Sequence, residues 1–243
     1  MKRLFHNFLN LLFPFKCIKC KTFIYNDAVF CHECWKAIEF ISEPCCEICS
    51  HPLQFSFNVP KHLQICASCH KDKPLFDKLI TVFKYTEDIK TVILNFKYND
   101  KTLLAKPFSK LITTRLISAQ QQDFDMITSV PLHKKKLRQR MYNQASLIAK
   151  NIAVNIKAPF IPNLLIRSKY DPSQTTYTKK MRIKNIRGAF AINKKYLESI
   201  KGKKILLVDD VITTGATINE CCKILKQGNC SSITAVTIAK RVL

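Results

Sequence analysis

Between Lys204 and Thr217 the chain reads Lys-Ile-Leu-Leu-Val-Asp-Asp-Val-Ile-Thr-Thr-Gly-Ala-Thr, an apolar run that ends in two acids and then turns through hydroxyl residues and one glycine. The aliphatic run Ile205 to Val208, bounded by charge, predicts a strand buried on both faces. Ala216 to Gln227 carries Ile218, Cys221, Cys222 and Leu225 at helical spacing and predicts a helix. The join between them is a strand-to-helix turn, the place where open α/β sheets hold their ligands. Thr213, Thr214, Gly215, Ala216 and Thr217 would present hydroxyls and backbone N–H groups at the positive end of that helix, which suits a phosphate dianion. Gly215 supplies a permissive backbone in a chain with only four glycines. Asp209 and Asp210 would repel that anion, so they must face hydrogen-bond donors such as a pair of ribose hydroxyls. A ribose 5-phosphate satisfies both halves of the segment.

This segment resembles the phosphoribosyl pyrophosphate (PRPP) binding motif of type I phosphoribosyltransferases, carried here by Val208-Asp209-Asp210-Val211 with Thr213, Thr214, Gly215 and Thr217. The resemblance implies an acid pair on the ribose hydroxyls, a hydroxyl-rich loop around the 5-phosphate, and magnesium arriving with PRPP. The competing nucleotide signatures G-x-G-x-x-G and G-x-x-x-x-G-K-[ST] are absent.

Length allows one medium domain and one small one, and 47% hydrophobic residues allow a real core in a chain of 243. The net charge of +23 is unevenly placed, with +3 on residues 1–75 and +20 on residues 76–243. Such a field attracts polyanions, nucleic acid above all; the other reading is a lysine-rich composition of the kind an A+T-rich genome would give. Met1 to Phe15 imitates a signal peptide, but His6, Asn7 and Asn10 interrupt it, no small-residue cleavage site follows, and Cys17 comes at once. An amphipathic helix packing on the domain is expected, with contact at a membrane surface as the alternative. No other apolar run is long enough to span a bilayer, and a cytoplasmic protein is expected.

Nine of the twelve cysteines precede residue 70, and eight form C-x-x-C pairs: Cys17/Cys20, Cys31/Cys34, Cys46/Cys49 and Cys66/Cys69. Each pair puts two thiolates on a knuckle, and two knuckles complete the tetrahedral site zinc prefers, so two structural zinc ions are expected. Sequential pairing is the preferred assignment; an interleaved arrangement uses the same residues, and sequence does not separate the two. A segment this short buries little core, so metal would supply its folding energy. Disulfides are not expected in a reduced compartment. Cys45 is left over.

The cysteine pairs stop before Pro74 and Leu75, which sets the expected domains at 1–75 and 76–243. Beyond them, Lys78 to Tyr85 predicts a strand, Ile89 to Tyr98 a helix, Thr102 to Ser118 a longer helix and Asp125 to Val130 a strand. Ala145 to Ala153 reads as helix, and Leu164 to Ile166, Ala189 to Ile192 and Ile233 to Ile238 as extended. This alternation predicts an α/β fold, a doubly wound, mostly parallel sheet of phosphoribosyltransferase type behind a small zinc-ribbon domain.

Two further segments are similar to the ComF competence proteins. Pro131-Leu132-His133 followed by Arg140, Asn143 and Gln144 matches the P-L-H…R-G-F-N-Q pattern of their strand-end loop, with Met141 and Tyr142 standing where that pattern has glycine and phenylalanine. Lys90 to Asp100, ending I-x-x-F-K-Y-N-D, is similar to their first helix. The connection Arg167 to Arg187 is long for a compact domain, as a loop closing over PRPP or an irregular surface segment would be. Gln174, Thr175, Arg182, Asn185 and Arg187 match the ComF pattern there. With Arg140, Asn143 and Gln144, the first three and Arg187 are the loop and pyrophosphate candidates. Lys134, Lys135, Lys136, Arg138, Lys179, Lys180 and Lys184 are the nucleic-acid candidates.

The resemblance implies a role in DNA uptake during natural transformation, with single-stranded DNA, a ribose phosphate and other DNA-uptake or recombination proteins as partners. The alternative is an active magnesium-dependent phosphoribosyltransferase with a base or amine acceptor. No general base for such an acceptor is identifiable.

Overall fold

The computed structural model describes residues 15–24, 28–54, 60–98, 102–169 and 185–242. In chain order its elements are α1 (His32–Ala37), α2 (Ala67–Lys71), β1 (Lys78–Lys84), α3 (Glu87–Tyr98), α4 (Ala105–Ser118), β2 (Met126–Ser129), α5 (Lys134–Arg140) and α6 (Gln144–Ile156). They are followed by β3 (Leu165–Arg167), β4 (Phe190–Ile192), β5 (Lys204–Ile212), α7 (Ala216–Gln227) and β6 (Ser232–Lys240). All but the last residue of the expected N-terminal helix lies outside the described residues.

β1, β6, β5 and β2 pair in that order, every pair parallel. Such a sheet needs cover on both faces, and successive residues of β5 supply both. Leu206 and Val208 join Val236 and Ile238 in a cluster completed by Phe96 of α3, Phe108 and Ile112 of α4, and Ile148 and Ile152 of α6. Ile205 and Leu207 join Ile233 and Ala235 against Ile218, Cys221 and Leu225 of α7. Each fully buried Leu, Ile, Val or Phe among them contributes about 1.5–3 kcal/mol. The sheet is doubly wound, as the alternating elements imply. Among the described residues, antiparallel pairing is confined to a separate ribbon, β3 with β4, and to isolated bridges.

The course of the chain sets where a ligand can sit. After β2 the chain moves outward, bridging Ile127 to Phe160, whereas after β5 it moves the other way to β6. The switch point therefore falls between the carboxyl ends of β2 and β5. Gly228 stands at the C-cap of α7, where a Cβ would collide with the side chains of Ile200 and Ile192, so only glycine fits there.

The cysteine-rich segment straddles the free edge of β1. Cys17, Ile18, Phe30, Cys34 and Ile38 pack into the cluster on one face of the sheet, and Cys46, Cys49, Cys66 and Cys69 into the cluster on the other. Backbone bonds join the parts: Ile41 N–H to the Val82 carbonyl at 2.9 Å, Lys84 N–H to that of Glu39 at 2.9 Å, and Leu79 N–H to that of Ile48 at 2.7 Å. The buried Lys240 at the end of β6 donates to the Cys49 carbonyl at 2.6 Å. Among the described residues, no helix is long and apolar enough to cross a membrane.

Two local expectations change. The segment from Thr102 opens as a 3-10 turn, Thr102–Leu104, before α4 begins, and Pro107 sits in the first turn of α4, where a missing N–H costs nothing. Lys134 to Arg140, expected as part of a strand-end loop, is the helix α5, built from good helix formers and capped by His133 Nδ1, which accepts from the Lys135 N–H at 3.2 Å. Met141 ends it in the left-handed conformation, with φ 63° and a side chain 80% exposed. The turn that glycine makes in the ComF pattern is thus kept, at the strain a side chain incurs there. Met141→Gly should raise stability by about 0.5–1 kcal/mol, a thermal midpoint about 1–4 °C higher; a lower midpoint would mean that the methionine makes a contact worth more than the strain.

Candidate functional site

β5 does not stop at Val208. Its neighbour β6 continues alongside, pairing Asp209 with Thr237, Val211 with Ala239 and Ile212 with Lys240, so both acids lie within the ladder. The chain then turns through Thr213 and Thr214 to Gly215, which caps α7 with φ 77°. A Cβ on Gly215 would meet only ordinary contacts, Ile212 Cδ1 at 3.6 Å being the nearest, so backbone conformation and not crowding calls for glycine. Thr214 Oγ1 accepts from the Ala216 N–H at 3.4 Å. Asp209, Val211 and the residues from Ile212 to Ile218 line an open concavity of about 210 Å³. Its floor is a helix N-terminus, whose first-turn N–H groups lack intrahelical acceptors, and hydroxyls stand around it.

The acid pair has its own counter-ion. Lys97, on the last turn of α3, places Nζ 2.7 Å from Asp210 Oδ2, with side chains only 19% and 15% exposed. Burial alone would lower the Lys97 ammonium, but Asp210 and, more weakly, Asp209 outweigh it and hold the group above the usual lysine value. The Asp210 N–H donates to Asp209 Oδ1 at 2.9 Å. Burial first, and the Asp210 charge second, push Asp209 up to about 7. Across the switch point, the Ser129 hydroxyl at the end of β2 is buried and has no hydrogen-bond partner among the described residues.

Sequence patterning brought Asp209 to Thr217 together but missed Lys97, which follows the apolar stripe Ile89, Val92, Ile93, Phe96 of α3 and reads there as an ordinary helix-end lysine. It read Arg140, Asn143 and Gln144 as loop and pyrophosphate candidates, and in the structure each has partners within the fold. Asn143 caps α6, Oδ1 accepting from the Ala145 and Ser146 N–H groups at 3.1 and 3.4 Å, while Nδ2 donates to the Val130 carbonyl at 3.0 Å. Gln144 is 1% exposed and donates from Nε2 to the Lys97 carbonyl at 3.3 Å. Arg140 donates to Tyr98 Oη at 2.9 Å and lies over its ring. Arg187 is exposed on the far arm of the long connection, its carbonyl accepting from Lys169 Nζ at 3.2 Å. Gln174, Thr175, Lys179, Lys180, Arg182 and Lys184 lie outside the described residues.

Lys134, Lys135, Lys136 and Arg138 stand together on α5, a helix with no buried residue and no acid. It begins a short distance past the carboxyl end of β2, the neighbour of β5, so the basic helix and the hydroxyl turn share one edge of the sheet.

The cysteines form two clusters in sequence order, Cys17, Cys20, Cys31 and Cys34 in one and Cys46, Cys49, Cys66 and Cys69 in the other, each with all sulfurs within 4.8 Å of one another. Each is built alike. The first knuckle turns on a left-handed residue, Lys21 at φ 68° or Ser50 at φ 53°, and the second starts a short helix, capped by Cys31 or Cys66. A tetrahedral zinc with Zn–S bonds of about 2.3 Å needs sulfurs about 3.8 Å apart. Cys20 and Cys31 are at 3.5 Å and Cys49 and Cys66 at 3.6 Å, so both clusters fit a structural zinc.

Residues 8–70 match the double zinc ribbon domain, and residues 143–242 the phosphoribosyl transferase domain. The chain is 29% identical to competence protein F of Haemophilus influenzae, over 88% of this chain and 92% of that protein. It is 24% identical to the DNA utilization protein YhgH of Escherichia coli, over 69% and 74%, and 22% identical to competence protein ComFC of Bacillus subtilis, over 88% and 85%.

Elemental analysis of the purified chain should find two zinc ions, and Cys46→Ser should lower this to one and lower the thermal midpoint; a full zinc count in the variant would disprove the grouping. A second expectation concerns pH. An aspartate ionises near 3.9 in the unfolded chain, and Asp209 near about 7 in the folded one. The folded state therefore binds the extra proton between those values, and stability falls as pH rises from about 4 to about 7. Asp209→Asn abolishes this, so its stability relative to the parent should improve by at least about 1 kcal/mol between pH 4 and pH 8 in urea unfolding; a difference independent of pH would rule out the perturbed acid.

Proposed function

The chain belongs to the ComF family of competence proteins, joining a double zinc ribbon to a phosphoribosyltransferase-type domain, and from that premise we propose that it handles incoming single-stranded DNA during natural transformation, on the cytoplasmic side. Residues 76–243 form the basic binding domain and keep a site for PRPP or a related ribose phosphate; residues 1–75 form the ribbon domain. The observation that carries this reading is α5, whose seven residues include five cations and no buried side chain. A helix with no core face contributes little to folding, and its charge is what it offers. Phosphates of a strand bind such a helix without base reading, and Tyr177 is a candidate for stacking, with Lys179, Lys180 and Lys184 as further phosphate contacts; Tyr142, the other stacking candidate by sequence, is instead packed against Phe96 and bonded to its carbonyl.

The intact order of acids, hydroxyls and left-handed Gly215 favours a second reading, a magnesium-dependent phosphoribosyltransferase. In that reading the turn holds the 5-phosphate, Asp209 and Asp210 face the ribosyl ring and stabilise positive charge developing there, and the concavity fixes the ring for attack from the opposite face. The metal carried by PRPP would neutralise the departing pyrophosphate.

Fluorescence anisotropy with a single-stranded oligonucleotide separates the two. Replacing Lys134, Lys135 and Lys136 by Glu should weaken binding at least about tenfold and reduce the slope of log affinity against log salt by about 2, from three lost phosphate contacts. Unchanged affinity would refute the DNA reading, and pyrophosphate released from magnesium PRPP with a base or amine would establish the second.

A further inference from the structure

Lys97 is not required by the acid and hydroxyl motif, yet the surrounding structure is arranged to hold it. Its ammonium lies 2.7 Å from Asp210 in a site that is mostly closed to water. The last turn of α3 would otherwise end in unpaired carbonyls, but one short segment grips three successive residues there. Tyr142 Oη donates to the Phe96 carbonyl at 2.6 Å, Gln144 Nε2 to the Lys97 carbonyl at 3.3 Å, and Arg140 Nη2 to Tyr98 Oη at 2.9 Å. Gln144, buried at 1% exposure, is further placed by Arg140, which donates to its Oε1 at 3.5 Å. A solvated helix-end lysine needs none of this.

Two carboxylates one short turn from a phosphate seat pose an electrostatic problem that a cation must answer. Resting on the reading of the turn as a ribose phosphate site, we infer that Lys97 is a resident cation of that site: it balances the Asp210 carboxylate so that a ribose 5-phosphate binds with no divalent ion there, and the segment from Arg140 to Gln144 is the brace that positions it. Ribose hydroxyls then donate to carboxylate oxygens that Lys97 leaves open, and the phosphate meets the N-terminus of α7 without facing an unbalanced pair of charges. Lys97 is a positioning residue here, acting through Asp210.

The test is calorimetry of the full zinc-loaded chain with ribose 5-phosphate, in buffer cleared of divalent ions on a chelating resin before the protein is added, and again with excess magnesium. The parent should bind equally in both. Lys97→Met should bind at least tenfold more weakly without magnesium and recover most of that loss with it, whereas Lys97→Arg should resemble the parent. Gln144→Leu, which leaves every charge in place, should show a smaller magnesium-reversible loss. Thermal melting confirms that each variant is folded, and if Lys97→Met is not, Lys97→Arg and Gln144→Leu carry the comparison. A folded Lys97→Met that binds like the parent without magnesium would overturn the inference. So would a loss that magnesium does not restore, since Lys97 would then touch the ligand itself. A parent that binds only with magnesium overturns this inference alone; a parent that binds in neither condition removes the ribose phosphate reading beneath it.

Discussion

A parallel strand buried on both faces has no water to satisfy its peptide groups, so every one must be met by a neighbouring strand. β5 meets much of this condition through β6, in register beside it from Lys204 to Ile212 except at Asp210, whose N–H turns instead to Asp209 Oδ1, and through β2, which pairs with Ile205 to Val208 on the other edge. The consequence reaches the site. Asp209 and Asp210 are members of a rigid ladder, and the turn that follows departs from a fixed point. A flexible loop could not hold two like charges so close, since it would relax them apart.

The acids, in turn, shape what surrounds them. A carboxylate leaving water must find a cation or give up its charge. Asp210 does the first through Lys97, and Asp209 leans toward the second. The brace at the end of α3 explains why the ComF-like segment from Arg140 to Gln144 lies 65 to 70 residues from the acid pair in sequence and yet bears on it: the segment fixes α3, and α3 delivers the lysine.

The strand, turn and helix around Gly215 were legible because each obeys a local rule: an aliphatic run, a residue free to take positive φ, and a stripe at helical spacing. The zinc clusters were legible for the same reason, since a C-x-x-C pair fixes its own geometry. Lys97 was not, because its importance is a tertiary contact across 113 residues, and a basic residue at a helix end is favourable with or without a partner. α5 was misread as loop because Pro131 before it and the absence of any apolar stripe conceal a helix that rests on propensity and a cap alone. The extent of β5 was underestimated because charge normally marks a strand's end, and here pairing with β6 overrides it.

The placing of the two metal-bearing units on either side of β1 matters beyond folding. A bare outer strand would offer its row of N–H and C=O groups to any extended chain, including another copy of itself. Here Glu39, Ile41 and Ile48 already hold backbone positions along that strand. Stripping the metal would therefore do more than loosen a small module: it would uncover a sticky seam on the larger one, and self-association would be the first sign of zinc starvation.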